Sequence, residues 1–166
     1  LDKDAKVTCA DVSAKALAVA KKNAAANGCK GVKFVESDLF AASDFHRRFG
    51  KGKYQLIISN PPYIPTGEIP LLQEEVRFEP PMALDGGADG LRFYSRLAEL
   101  ATGILLPGGV LAVEIGWNQA QAVQAIMAAE GFCKMEVIRD FGGRDRGVIC
   151  RKGAVACDGA QGCRFV

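Results

Sequence analysis

The sequence is poor in the residues that hold metals and in the runs that cross membranes. Its 166 residues contain one His, one Trp and three Met, and none of its six cysteines forms a C-x-x-C pair with another. His46 lies far in sequence from the cysteines at positions 9, 29, 133, 150, 157 and 163, so no zinc-ligand set is expected. The cysteines read as reduced thiols, with Cys9 and Cys150 packed as small apolar side chains. Long apolar runs are missing too. The most hydrophobic stretch, residues 104–115, is broken by Pro107-Gly108-Gly109 and falls short of the roughly 20 residues a membrane helix needs. Leu1-Asp2-Lys3-Asp4 has neither an initiator Met nor the apolar core of a signal peptide, which predicts a cytoplasmic protein with a truncated or processed start. Charge of one sign is not in excess. Twenty-one Lys and Arg against 19 Asp and Glu leave a net +2, which gives no argument for wrapping bare nucleic acid. No repeat or low-complexity tract is visible.

What remains is an ordinary globular composition, 49% hydrophobic and 24% charged. A chain of this size can bury roughly 70% of its unfolded surface in one core, so a single domain over residues 1–152 is expected. Strand-like runs at 7–10, 32–35, 56–59 and 110–115 are separated by helical sequence. The first helix starts at an N-cap, Ser13, and runs to a glycine stop at Asn27-Gly28. A second covers about 90–105, and a third covers about 119–130 and ends at Gly131. Repeated strand-helix-strand units predict an α/β fold with a mostly parallel sheet. Runs 135–138 and 148–151 are joined by a link too short for a crossover helix, so they should pair as an antiparallel C-terminal hairpin. Residues 153–166, rich in Gly, Ala and Cys without periodicity, read as a flexible tail. Residues 64–90, with Pro65, Pro70, Pro80, Pro81 and Gly86-Gly87, read as a long functional loop.

The strongest chemical signal is Ser59-Asn60-Pro61-Pro62-Tyr63 at the carboxyl end of the third strand, where open parallel sheets bind ligands. Two consecutive prolines remove two N–H donors and leave carbonyls that accept hydrogen bonds. The Asn60 side chain adds another acceptor, so an NH2 group on a planar carbon would find partners for both hydrogens at Asn60 and Pro61, with Tyr63 stacked on the plane. Asn-Pro by itself is a common turn initiator. Four specified residues at a strand end favour the chemical reading. Asp11, in Cys9-Ala10-Asp11-Val12-Ser13, sits at the end of the first strand, where a carboxylate suits the hydroxyls of a ribose. Helix capping is its competing role, with Ser13 available for the same work. Asp38, followed by Leu39, repeats the placement one strand later and could accept a hydrogen bond from an adenine amine. One adenosine-type pocket explains these positions most economically.

Taken together, these residues resemble the PrmC/HemK family, class I S-adenosyl-L-methionine-dependent enzymes that methylate the glutamine side-chain amide of peptide chain release factors. Asn60-Pro61-Pro62-Tyr63 resembles the family's substrate motif, which is shared with amino-methyltransferases of adenine and guanine. Four further segments are similar to this family in order and spacing. They are Phe78-Glu79-Pro80 with Ala83-Leu84, then Gly86-Gly87-Ala88-Asp89-Gly90-Leu91, then Glu114-Ile115-Gly116, and Asp140 with Gly143-Arg144-Asp145-Arg146. The resemblance implies a Rossmann-like methyltransferase sheet and a cofactor site at Asp11, Val12, Asp38, Leu39 and Asn60. It also implies a glutamine site at Asn60, Pro61, Pro62 and Tyr63, with Asn60, Pro61 and Tyr63 at the chemistry. Orientation of the amide does the work without a strong base, and charge developing on nitrogen meets the carbonyls and the tyrosine face. Glu79, Glu114 and Arg146 read as members of a buried network rather than as catalytic groups.

The family's catalytic domain opens with a strand and a glycine-rich Asp-x-Gly-x-Gly-x-Gly loop, and this sequence contains no Gly-x-Gly-x-Gly. The expectation is a catalytic-domain fragment without that first strand and loop, binding S-adenosyl-L-methionine weakly or not at all. The implied partner is a release factor, with no direct nucleic-acid or membrane contact. Two rivals stay open. One is an amino-methyltransferase of adenine or guanine in DNA or RNA, kept alive by His46-Arg47-Arg48 with Lys51 and Lys53. The other is an inactive remnant.

Overall fold

A computed structural model describes residues 5–39 and 48–153. The sequence expectations that fall on Leu1-Asp2-Lys3-Asp4, His46, Arg47, Cys157, Cys163 and residues 154–166 of the tail lie outside the described residues. The chain divides into two compact units, one ending at Phe49 and the other beginning at Gly50.

In the N-terminal unit, strand β1 (Thr8–Asp11) and strand β2 (Lys33–Glu36) pair in parallel, from Thr8 opposite Lys33 to Asp11 opposite Glu36. They are connected by helix α1 (Ala14–Ala26), the right length for a parallel crossover. Ser13 caps its start, with Oγ accepting from the Ala16 N–H at 3.2 Å, and Gly28 follows its end at φ 68°. Both signals were read from sequence. Arg48 Nη1 donates to the Glu36 carbonyl at 2.8 Å and is thereby tied to the end of β2.

The C-terminal unit is built on a four-stranded sheet in the order β3-β4-β6-β5, from β3 (Tyr54–Ser59), β4 (Leu105–Glu114), β5 (Phe132–Arg139) and β6 (Asp145–Lys152). Strands β3 and β4 are parallel, and antiparallel pairing enters where β6 inserts between β4 and β5. This agrees with the α/β class and the antiparallel hairpin expected from sequence. Strand β4 begins earlier than the expected residue 110. Leu105 pairs with Tyr54, Val110 pairs with Leu56, and Pro107-Gly108-Gly109 is absorbed in an irregularity of the ladder. Strand β5 likewise starts at Phe132, because a register shift between Cys133 and Glu136, with Lys134 at φ 47°, breaks the period-two pattern that sequence reading relies on.

Helix α4 (Arg92–Ile104) buries Tyr94, Leu97, Ala98, Leu100, Ala101 and Ile104 on one face, the spacing of an amphipathic helix. Helix α5 (Ala120–Ala129) adds Val123 and Met127. These side chains form a core with Leu111, Val113, Ile115, Phe132, Val148 and Cys150. Cys150 is packed as expected, whereas Cys9 is half-buried. Lys152 Nζ closes the end of α4 by donating to the carbonyls of Thr102 and Leu105.

Residues 64–90 are more ordered than a loop. They hold a 3-10 turn (Thr66–Leu71) and two single-turn helices, α2 (Glu74–Arg77) and α3 (Pro81–Leu84). Pro65 and Pro80 stand at caps and Pro81 at the first helical position, where a fixed φ and a missing N–H start a turn rather than forbid one. A parallel bridge between Ile64 and Asp85 closes the segment on itself. Among the described residues no helix is long and apolar enough to cross a membrane.

Candidate active site

The N-terminal unit places Asp11 and Val12 at the carboxyl end of β1 and Asp38 and Leu39 just past the end of β2, so neighbouring parallel strands deliver all four to one end of their sheet. The Ser37 N–H donates to the Asp11 carbonyl at 2.9 Å and fixes the two strand ends together. Asp11 Oδ1 accepts the Ser13 N–H at 2.7 Å, while Ser13 itself caps α1. The carboxylate therefore does not cap the helix directly. It is exposed, and its second oxygen has no hydrogen bond to another described residue.

In the C-terminal unit, β3 and β4 end side by side, with Ser59 opposite Val113, so Asn60 leaves β3 beside the Glu114 end of β4. Asn60 is exposed, and its amide makes no hydrogen bond to another described residue. Pro61 is buried, whereas Pro62 and Tyr63 are half-buried. Neither proline can donate. The turn is consequently rich in acceptors and must be held by donors from elsewhere.

The donor comes from Gln119, the N-cap of α5, and β4 adds an acceptor for the Tyr63 hydroxyl. Tyr63 Oη donates to Glu114 Oε1 at 2.9 Å, and the Tyr63 carbonyl accepts from Gln119 Nε2 at 2.9 Å. The second Nε2 hydrogen points to the Gly90 carbonyl at 3.3 Å, while Gln119 Oε1 accepts from the Gly116 N–H at 2.8 Å. Tyr94 Oη donates to the Glu114 carbonyl at 2.9 Å and lies 3.4 Å from Gln119 Oε1. Burial raises the Tyr63 phenol above its ordinary pKa, the Glu114 carboxylate raises it further, and the Arg146 guanidinium opposes the rise. Burial also raises Tyr94, helped by Tyr63 and Glu114. Both phenols are neutral at physiological pH and act as donors rather than bases.

Glycines bring the last wall into contact. A Cβ on Gly86 would lie 2.8 Å from the Tyr63 Cα, and one on Gly90 would sit on the Tyr63 carbonyl oxygen and 2.6 Å from Gln119 Nε2. Asp85 Oδ1 accepts from Thr66 Oγ1 at 2.7 Å and from the Gly87 N–H at 2.9 Å, which shapes the same turn. On the far side of Glu114, Arg146 Nη2 donates to Asp140 Oδ2 at 3.2 Å, and Ile115 N–H donates to the Arg146 carbonyl at 3.0 Å. Glu114 and Arg146 thus hold the network role read from sequence. Glu79 does not, because it is exposed.

Gln119 and Tyr94 were missed in the sequence. Gln119 is the one buried amide or charged side chain among the described residues. A polar residue at the N-cap of α5 was the available signal, and it looked like an ordinary helix start. Among the described residues no His, Cys, Asp and Glu cluster could hold a metal.

A methyltransferase small-domain model matches residues 1–76. The chain is 41% identical over 151 residues to the release factor glutamine methyltransferase of Fusobacterium nucleatum, covering 90% of this chain and 41% of that protein. It is 42% identical over 140 residues to the release factor glutamine methyltransferase of Caulobacter vibrioides, covering 84% of this chain and 47% of that protein. A methyltransferase from Pyrococcus furiosus superposes with a TM-score of 0.60 at 21% identity, over 89% of this chain and 63% of that one. That likeness is one of fold, the α/β fold of class I methyltransferases. The chain spans about half the length of the curated relatives it matches.

Proposed function

Because the chain belongs to the release factor glutamine methyltransferase family, we propose that its residues 1–152 are the methyltransferase catalytic domain of a cytoplasmic enzyme acting on peptide chain release factors. The reaction is methyl transfer to the side-chain amide nitrogen of the glutamine in their Gly-Gly-Gln motif. The observation that carries this reading is the acceptor turn at the end of β3, with exposed Asn60, donor-free Pro61 and Pro62, and Tyr63 bonded at both its carbonyl and its hydroxyl.

Methyltransferases of this family use S-adenosyl-L-methionine, which when bound supplies an electrophilic methyl group on a sulfonium sulfur. The residues present fit its nucleoside half. Asp11 offers the ribose a carboxylate oxygen that no described residue occupies, and Val12, Asp38 and Leu39 stand beside it at the strand ends. Asn60, in the C-terminal unit, would serve the target amide. Its side-chain carbonyl and the Pro61 carbonyl accept the two hydrogens of the glutamine NH2, which turns the nitrogen lone pair toward the incoming methyl group. Pro62 keeps the turn rigid, and Tyr63 stacks on the amide plane. Transfer would form the N–C bond as the methyl–sulfur bond breaks and the sulfur leaves as a neutral thioether, and the two carbonyls and the tyrosine face would stabilise the positive charge on nitrogen until its proton leaves to solvent. No strong base is required.

The test is radiolabelled methyl transfer by the intact protein that carries this sequence, offered a release factor and, separately, unmodified DNA and RNA. Label on the release factor glutamine is expected, and Asn60→Ala should lower the rate on the order of a hundredfold. Label found in nucleic acid alone would transfer the site to the base-amine reaction, for which the same acceptors serve. Unchanged turnover in Asn60→Ala would remove Asn60 from the chemistry, and no label in any substrate would favour an inactive remnant.

A further inference from the structure

A turn built on two prolines has a mechanical weakness. Pro61 and Pro62 have no N–H with which to fasten the backbone, so the acceptors they present are only as fixed as the residue that follows them. That residue is Tyr63, and it is fastened from outside. Gln119 Nε2 donates one hydrogen to the Tyr63 carbonyl and the other toward the Gly90 carbonyl, while Oε1 is held by the Gly116 N–H. The amide cannot turn over without placing its oxygen against two carbonyl oxygens, and it is 7% exposed, so water cannot replace the lost bonds cheaply. Two residues before Gly116, at the end of β4, Glu114 accepts from the Tyr63 hydroxyl.

We infer that Gln119 is a positioning residue for the reaction, fixing Tyr63 from its carbonyl end while Glu114 fixes the hydroxyl end, so that the Pro61 carbonyl and the tyrosine ring keep one orientation. The inference rests on the glutamine methyltransferase reading for its consequence and on the hydrogen bonds themselves for its geometry. Placement of this kind has kinetic weight, because a shift of about 1 Å at a reacting centre costs on the order of a hundredfold in rate. Gln119 touches neither the target nor the cofactor in this reading. It acts through Tyr63.

The experiment compares the intact protein with Gln119→Glu and Gln119→Met. Glu keeps the length and the acceptor for Gly116 but replaces the donor, and Met keeps the length without a polar group. With carbon-13 labelled tyrosine rings, the Tyr63 resonances should shift or broaden in each folded variant. The methylation kcat should fall roughly ten- to a hundredfold while KM for S-adenosyl-L-methionine changes less than about threefold. A residue that merely fills the core would lower the unfolding temperature and leave kcat per folded molecule intact, and that result overturns the inference. An unmoved Tyr63 resonance overturns it as well. In the unsubstituted protein the Gln119 side-chain NH2 should exchange slowly with solvent, so the link can be judged even where a variant does not fold; fast exchange would refute it. Absence of methyl transfer by the unsubstituted protein, with the Tyr63 resonance still moving, would overturn the methyltransferase reading and support the Gln119–Tyr63 link.

Discussion

Gly90 and Gly108 share a φ of 74°, yet they occupy opposite surroundings. Around Gly108 nothing lies within 4 Å of an added Cβ, whereas around Gly90 the Tyr63 carbonyl and Gln119 Nε2 fill the space. The backbone strain of an alanine, about 1–2 kcal/mol at this conformation, is therefore common to both positions. The overpacking, about 1–3 kcal/mol more, falls on Gly90 alone. Gly90→Ala is expected to lower urea-derived stability by that additional amount relative to Gly108→Ala. Equal losses would mean that the close approach of Gly90 to Tyr63 carries no energetic weight. The comparison also separates two meanings of glycine that the sequence writes identically, a turn that needs its φ and a wall that needs its missing side chain.

Local signals made most elements legible, and long-range pairings made the rest illegible. Ser13 and Gly28 bracket α1, the apolar spacing of α4 gives its buried face, and the short link after β5 forces a hairpin. Asn60-Pro61-Pro62-Tyr63 was visible because its chemistry lies in four consecutive residues. Gln119 was not, because its partner Tyr63 is 56 residues away and nothing near position 119 announces it. The bulge at Lys134 and the early start of β4 are likewise settled by partner strands rather than by their own sequence. The β5–β6 turn shows how one local residue can hold an element. Asp140 Oδ1 accepts from the N–H groups of Gly142 at 2.9 Å and Arg144 at 3.0 Å, and these bonds with Arg146 keep its carboxyl below the ordinary value of 3.8. A depressed carboxyl contributes stability above the unfolded value that is lost as pH falls through the lower folded one. Normalised amide exchange at Gly142 and Arg144 should therefore accelerate below about pH 4. Asp140→Ala should accelerate it about tenfold at neutral pH by removing both acceptor bonds. Exchange indifferent to the substitution would place the strength of the turn in its backbone alone.

The core of the C-terminal unit couples the whole molecule to alkaline pH. Cys150 is fully buried, and burial pushes its thiol from 9.0 up to about 12. Tyr94 and Tyr63 are raised from 10.0 for the same first reason, with the Glu114 carboxylate adding to both. Each group is held neutral in the folded chain and ionises earlier in the unfolded one. Above the unfolded values the folded state then binds more protons, and the derivative of unfolding free energy with pH is negative. Stability from these groups is thus complete below about pH 9 and is lost as pH rises toward and through the folded values, at up to about 1.4 kcal/mol per pH unit for each group titrating. Cys150 acts first because its unfolded value is the lowest of the three. Urea denaturation between pH 7 and 11 should show a plateau, then a decline setting in near pH 9. Cys150→Ala should move the onset toward pH 10, where the tyrosines take over. A decline that begins at the same pH with or without the thiol would assign the alkaline limit to the tyrosines that frame the candidate site.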